Sequence, residues 1–308
     1  MGGCSRAAKP PEPSDATVGG GMLVVDCGSG GTRVWRRTVS GGCERVSWRG
    51  GGRAPVLSAC LPSDEGRRAF AKGILQLEHP CFVGATAGLR HALEVGEVTQ
   101  ADLVSLRALL PPSCRVEVLS PTEEAQYECA AMRHRCEPRG CVSLGMLSMG
   151  GKSMQIASGD TLFSLPFAMH AGYEFLTGRS TSNPAVQWET RLDECVAMYR
   201  GLVEQQRGAQ RLQSLDGIFV GVTDTVVPAM EMGIADQELH RDELLRRLAA
   251  RAEELRHIDT LSKNLLVHSA RVLLLLAVIE ALFNDATFVF RSDMDISWPA
   301  GYLLQNGD

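Results

Sequence analysis

In the stretch MLVVDCGSGGT (residues 22–32), a short apolar run ends in an aspartate and is followed by a turn of small residues. The apolar run predicts a β-strand, and residues 33–39 and 44–48 predict the antiparallel strands that follow it. A second stretch, VSLGMLSMGGKSMQIA (residues 142–157), repeats the order of strand, glycine-rich turn and strand. The two stretches together indicate an internal repeat, with one unit leading each half of the chain.

The rest of the chain is predicted to alternate short strands with helices. The predicted division is a tail at 1–20, a first lobe at 21–138 and a second lobe at 139–308, with the last helix, after Ser297, returning to the first lobe. Thr122 is the predicted N-cap of a helix that runs to about Met132. Further helices are predicted near 64–77, 87, 99–110, 183–206, 236–255 and 261–282, and further strands at 81–84, 116–119, 161–165, 217–222 and 287–290.

Composition favours a soluble globular protein of two lobes. The chain has 308 residues, of which 44% are hydrophobic and 22% charged, and its net charge is −5. A nucleic-acid-binding surface is not expected, because it would need a clustered basic excess.

The apolar segment 265–283 contains His268, Arg271 and Glu280. Because charges are costly inside a bilayer, we interpret this segment as a buried core helix.

The ten cysteines form no CxxC pair, and the first twenty residues lack the apolar core of a signal peptide. We therefore expect reduced thiols and a cytoplasmic protein.

The start Met1-Gly2-Gly3-Cys4 resembles an acylation signal, although Arg6 stands where serine or threonine is usual. Two interpretations remain, a disordered tail or an acylated N-terminus that gives peripheral membrane contact.

The two glycine-rich turns predict a phosphate-binding site. Small residues expose backbone N–H groups and leave room for phosphate oxygens to approach. One such turn alone is more often a simple hairpin connection. Two of them facing each other would hold a phosphate chain from both sides.

Five stretches of the chain carry a family resemblance, in the order DCGSGGTR (26–33), ATAGLR (85–90), SPTEE (120–124), MGGKSMQI (149–156) and DISWPAGYL (295–303). They resemble the five conserved regions of the apyrases, or nucleoside triphosphate diphosphohydrolases. The resemblance implies an α/β fold of the two-lobed actin-like ATPase (ribonuclease H-like) type, with a nucleotide bound in a central cleft.

Two other stretches are similar to a sister family, the exopolyphosphatases and guanosine pentaphosphate phosphatases. They are EEA (123–125) and VGVTDT (220–225). Both families share the fold and hydrolyse phosphoanhydride bonds. The resemblance therefore implies the same reaction class whether the substrate is a nucleotide or a polyphosphate.

The resemblance implies that Glu124 is the general base, with Glu123 as the fallback and Gln155 as the residue that orients the attacking water. A carboxylate near the cleft accepts a proton from water as it attacks the terminal phosphorus. The alternative is that Glu123 and Glu124 form a solvated first helical turn, where acids favour the helix dipole. Arg90 is expected to be an ion-pair partner, and Trp298 and Tyr302 are expected to pack the last helix.

Asp26 is the expected ligand of a divalent cation, Mg²⁺ or Ca²⁺, because a carboxylate together with phosphates is the usual way to hold Mg²⁺. The alternative for Asp26 is a turn-capping role. Lys152 replaces a small residue of the family pattern and either pairs with a phosphate or points into solvent. The expected phosphate-binding residues are Ser29, Gly30, Gly31, Thr32, Thr86, Gly150, Gly151, Lys152 and Ser153.

Ser148 is the main departure from the family pattern, which places a second aspartate at this metal position. Serine supplies no charge to a cation, so metal binding and catalysis are expected to weaken. Asp224 is the predicted substitute.

The principal hypothesis is an active nucleoside phosphatase, and the alternatives are an exopolyphosphatase-like hydrolase and a catalytically impaired nucleotide-binding homologue. A kinase is disfavoured, because the match of Gln155 to a water-orienting residue points to hydrolysis.

Overall fold

A computed structural model describes residues 21–38, 41–48, 54–77, 81–136, 144–159, 161–178, 188–258, 262–292 and 296–306. The predicted tail at 1–20, with Gly2 and Cys4, lies outside the described residues. So does Asp295, the first residue of the fifth motif.

The first sheet has five strands in the order β3-β2-β1-β4-β5. The hairpin β1-β2 and the pair β2-β3 are antiparallel, whereas β1-β4 and β4-β5 are parallel. Strands β1 and β4 are central and consist of near-continuous apolar runs, as expected of strands covered on both faces. The strands are β1 Leu23–Gly28, β2 Gly31–Arg37, β3 Cys43–Val46, β4 Cys81–Ala85 and β5 Cys114–Val118.

The second sheet repeats this topology and adds an edge strand. Its order is β10-β11-β9-β6-β7-β8, with antiparallel hairpins on one side of β6 and parallel β9 and β11 on the other. The internal repeat predicted from the two glycine turns is therefore present in the topology. The strands are β6 Leu144–Met149, β7 Met154–Ser158, β8 Thr161–Leu165, β9 Leu215–Thr223, β10 Glu238–His240 and β11 Phe283–Phe290.

Helices cover the outer faces of both sheets, which gives the predicted α/β architecture. The first sheet is covered by α1 Leu57–Cys60, α2 Asp64–Leu75, α3 Ala87–Glu94 and α4 Gln100–Ala108. The second is covered by α6 Met169–Leu176, α7 Trp188–Gln210, α9 Arg241–Arg256 and α10 Lys263–Leu282, with the short α8 Val226–Glu231 after β9.

Two helices lie between the sheets and connect the lobes. Helix α5, Pro121–Cys136, follows the first sheet in sequence but packs on the inner face of the second. Helix α11, Trp298–Asn306, is the last element, and it packs on the inner face of the first sheet and against α5. Tyr302 of α11 stacks on Phe82 of β4, with ring centroids 4.0 Å apart. The chain thus reaches the second sheet with residue 121, whereas the predicted lobe boundary lies at 138.

The N-terminus of α5 corrects one sequence prediction, because Ser120 and not Thr122 caps the helix. The Ser120 hydroxyl accepts a hydrogen bond from the Glu123 N–H (3.2 Å), and the Glu123 carboxylate accepts one from the Ser120 N–H (2.8 Å). Pro121 occupies the first helical position, where its missing N–H does no harm. The sequence also does not predict the short elements α1, α6, α8 and β10.

Helix α10 is the one helix in the described part of the chain that is long and apolar enough to cross a membrane, by length and composition alone. Most of its apolar side chains lie in the core of the second lobe, as predicted. The three polar residues noted in the sequence have partners within the protein: His268 with Glu231, Arg271 with Asp224 and Glu280 with Arg200. All eight described cysteines are free thiols.

Candidate functional site

A cavity of about 680 Å³ lies between the two sheets, where the carboxyl ends of β1, β6 and β9 meet. Ligands of open α/β sheets bind at such ends. The residues predicted from the sequence that border this cavity are Asp26, Ser29, Gly30, Thr86, Glu124, Gly150, Gly151, Lys152, Ser153 and Gln155.

The two glycine-rich turns meet across the cavity. A Cβ atom added to Gly151 would lie 2.5 Å from the Ser29 hydroxyl oxygen, and one added to Gly88 would lie 2.8 Å from the Ser29 Cα. The first turn is therefore held between the start of α3 and the second turn. At Gly88 the neighbour is backbone, so only glycine leaves room for this approach.

Asp26 is buried at the end of β1 and is fixed by two donors. The Trp298 indole N–H donates to its Oδ1 (3.0 Å), and Arg33 donates to its Oδ2 (3.3 Å). Burial raises the pKa of Asp26, and Arg33 and Trp298 oppose that rise. Trp298 thus does more than pack α11, because it also orients this carboxylate.

Glu124 is buried and faces the cavity from the first turn of α5. Arg90 donates to its Oε2 (2.9 Å) and to the Leu119 carbonyl (2.6 Å). Burial raises the pKa of Glu124, and the charge of Arg90 lowers it. Arg90 forms the expected ion pair and holds the Glu124 carboxylate at the cavity, where it can accept a proton from a water molecule.

No motif predicts Glu128, yet it borders the cavity. It lies one turn after Glu124 on the same face of α5 and is only 5% exposed. Burial raises its pKa well above the ordinary value, Glu124 adds to the rise, and a hydrogen bond with Ser148 opposes it. Its position four residues after Glu124, on the same face of a predicted helix, is the feature of the sequence that could have identified it.

Four predicted site residues do not border the cavity: Gly31, Thr32, Glu123 and Ser148. Thr32 pairs with Cys27 across the β1-β2 hairpin, so its side chain lies on the face opposite Asp26 and donates to the Pro55 carbonyl. Glu123 is exposed and its carboxylate caps α5, so it does not face the cavity as a fallback base would.

Ser148 is 1% exposed and lies behind the cavity wall. Its hydroxyl is 3.1 Å from that of Thr223. Gln155, its cross-strand partner, donates to the Ser153 hydroxyl (2.8 Å).

Thr86 precedes α3, and its hydroxyl makes no capping hydrogen bond. It can therefore hydrogen-bond a ligand at this helix N-terminus, where anions bind well.

Asp224, the predicted substitute for the missing aspartate, borders the cavity. Its carboxylate is already paired with Arg271 (3.0 Å). The carboxyl group beside Ser148 is that of Glu128 instead.

Four basic side chains that are not among the predicted site residues also border the cavity: Arg33, Arg45, Arg291 and His170. Burial lowers the pKa of His170, as does nearby Lys152. These positions are far apart in sequence, so only the fold brings them together.

A divalent cation fits this site. Asp26, Glu124 and Glu128 are buried carboxyl groups that border the cavity, and the Glu128 Oε2 has no hydrogen-bond partner among the described residues. Among the described residues no group of three or more His, Cys, Asp or Glu side chains is placed to hold a metal alone. Mg²⁺ does not require one, because it is usually held by one or two carboxylates with substrate phosphates and water.

Comparison with known proteins supports the predicted two-lobed actin-like fold. No family model matches the chain, and no curated protein matches it. The chain is similar to the structure of a PPX-GPPA enzyme of Aquifex aeolicus, with a TM-score of 0.59, 16% identity, and coverage of 93% of this chain and 99% of that one.

Two further structures agree with this likeness. A type II variant of the Aquifex aeolicus Ppx/GppA phosphatase has a TM-score of 0.59 at 15% identity, covering 92% of this chain and 98% of that one. An exopolyphosphatase-like protein has a TM-score of 0.56 at 20% identity, covering 93% and 97%. These neighbours are exopolyphosphatase and guanosine pentaphosphate phosphatase relatives, and they do not support the resemblance to the apyrases.

Proposed function

We propose that this protein is a cation-dependent phosphoanhydride hydrolase that removes the terminal phosphate from a polyphosphate chain. The observation that carries the proposal is the meeting of the Ser29 and Gly151 turns at a cavity that buried Glu124 faces. Turn amides on both sides suit a phosphate chain between the lobes.

Each residue has a part in the proposed reaction. Glu124 accepts a proton from the water that attacks the terminal phosphorus, while Arg90 holds its carboxylate in place. Gln155 orients the water, and the turns donate N–H groups to the phosphate oxygens. A bound divalent cation would neutralise charge on those oxygens.

The lining of the cavity favours a polyphosphate over a nucleoside phosphate. Among the described residues, the aromatic side chains at the cavity besides His170 are Trp35 and Trp298, and each is 3% exposed. Neither presents a free ring face on which a base could stack. The cationic groups Arg33, Arg45 and Lys152 suit an extended anion instead.

A substrate panel tests the proposal. Phosphate release from inorganic polyphosphate, guanosine pentaphosphate, ATP and ADP is measured with Mg²⁺, Mn²⁺ or Ca²⁺, and with a chelator as control. We expect cation-dependent release, with the highest kcat/KM for polyphosphate. Preference for ATP or ADP would support a nucleoside phosphatase, and no release from any substrate would refute the hydrolase.

A further inference from the structure

Ser148 and Glu128 form a pair on the inner face of the second sheet. Ser148 stands where the resemblance predicts a cation-binding aspartate, but it is buried and does not border the cavity. Its hydroxyl hydrogen-bonds the Glu128 carboxyl group, which does border the cavity. The small side chain at 148 therefore leaves space that the longer glutamate from α5 occupies.

The Glu128 carboxyl group is incompletely satisfied within the protein. Its Oε2 is buried and has no hydrogen-bond partner among the described residues. An unpaired polar oxygen of this kind is costly to bury. Asp26 and Glu124 lie near enough to raise its pKa further by repulsion. A cation in the cavity would relieve both the unpaired oxygen and the repulsion.

We propose that Glu128, together with Asp26, binds the divalent cation, so that α5 and not β6 supplies the second carboxylate. The inference rests on the proposed function, because the cation is the one that serves the hydrolysis. If Glu128 supplies the second carboxylate, a serine at position 148 does not imply loss of the cation site. An aspartate at 148 would instead bring a like charge against Glu128.

Binding of Mn²⁺ alone to the full chain tests this assignment, with free Mn²⁺ followed by electron paramagnetic resonance. We expect Glu128→Gln to weaken binding at least about tenfold, the lower range for loss of a residue that supports a metal site. The control Glu94→Gln removes an exposed carboxylate on α3 and should bind like the wild type. Thermal unfolding without metal confirms that both variants fold.

An exchange variant separates a ligand from a structural residue. Glu128→Ala combined with Ser148→Asp should recover Mn²⁺ affinity to within a few-fold of the wild type, because alanine vacates the space beside residue 148 and the aspartate returns a carboxylate to it. Equal affinity of wild type and Glu128→Gln, or no binding by the wild type, would overturn the assignment. So would a double variant that folds and binds no better than Glu128→Gln.

Phosphate release is measured separately, so that failure of the inference and failure of the proposed function are distinguishable. Mn²⁺ binding through Glu128 without phosphate release would refute the hydrolase alone. Phosphate release together with unimpaired Mn²⁺ binding by Glu128→Gln would refute this inference alone.

Discussion

At the scale of single residues, Arg90 controls the carboxylate on which the proposed reaction depends. It donates to Glu124 and to the Leu119 carbonyl, which ties the start of α5 to α3. Its charge lowers the pKa of Glu124 while burial raises it. Burial and the Arg90 charge therefore act in opposite directions on the pKa of Glu124.

Arg90→Gln should move the acidic limb of the pH–rate profile to higher pH. Glu124 must be deprotonated to act as a base, and loss of the Arg90 charge raises its pKa, so more alkaline solution is needed. The measurement is kcat/KM across pH for wild type, Arg90→Gln and the surface control Arg200→Gln. An unchanged acidic limb in Arg90→Gln would contradict the assignment of Glu124.

Glu128 should make the metal-free protein less stable as pH rises. Folding raises the pKa of this group above about 4.5, so the stability it contributes is greatest below that pH and is lost as pH rises toward the folded pKa. The loss is up to ~1.4 kcal/mol per pH unit. Glu128→Gln should reduce this slope in urea unfolding with a chelator at about pH 5, 6 and 7. Parallel slopes for variant and wild type would be the opposite result.

The sequence identifies some site residues and misses others for a physical reason. Asp26 and Glu124 lie in motifs beside the turns, and both face the cavity. Glu128 and His170 lie outside any motif, and only the packing of α5 and α6 brings them to the cavity. Thr32 lies within a motif but away from the cavity, because alternation along β2 places it on the opposite face.

At the scale of elements, the crossing of α5 and α11 holds the lobes together. A Cβ atom added to Gly301 of α11 would lie 1.7 Å from the Tyr127 carbonyl oxygen of α5. The clash is with backbone, which cannot move aside as a flexible side chain can. Glycine at 301 therefore permits the helices to approach closely.

Gly301→Ala should destabilise the protein by about 1–3 kcal/mol or more, since it overpacks a helix contact. The matched control is Gly201→Ala in α7, where an added Cβ meets nothing within 4 Å. That change should stabilise by up to about 1 kcal/mol through helix propensity. Thermal unfolding of both variants measures the contrast, and equal effects would argue against the described crossing.

The longer elements could be predicted from the sequence, but the shortest could not. Caps such as Ser63, Thr99 and Ser262 begin α2, α4 and α10, and each accepts a hydrogen bond from the first turn. Helix α8 and strand β10 have six and three residues, which are too few for a hydrophobic period to be recognised.

At the scale of the whole molecule, two sheets of like topology place one glycine turn on each side of a cavity. The repeated strand and turn pattern predicts this arrangement. The placement of α5 on the second sheet is not predictable, because it depends on contacts between lobes and not on local sequence. That placement is what brings Glu124 and Glu128 to the same cavity as Asp26.

The role of Glu124 as the general base is tested by the rate of phosphate release by wild type and Glu124→Gln, with saturating polyphosphate and Mg²⁺. We predict release by the wild type and a rate about 10²–10⁴-fold lower in the variant, the usual contribution of a general base. Tripolyphosphate should still raise the melting temperature of the variant, which shows an intact site. Equal rates for the two proteins would show that Glu124 is not the general base.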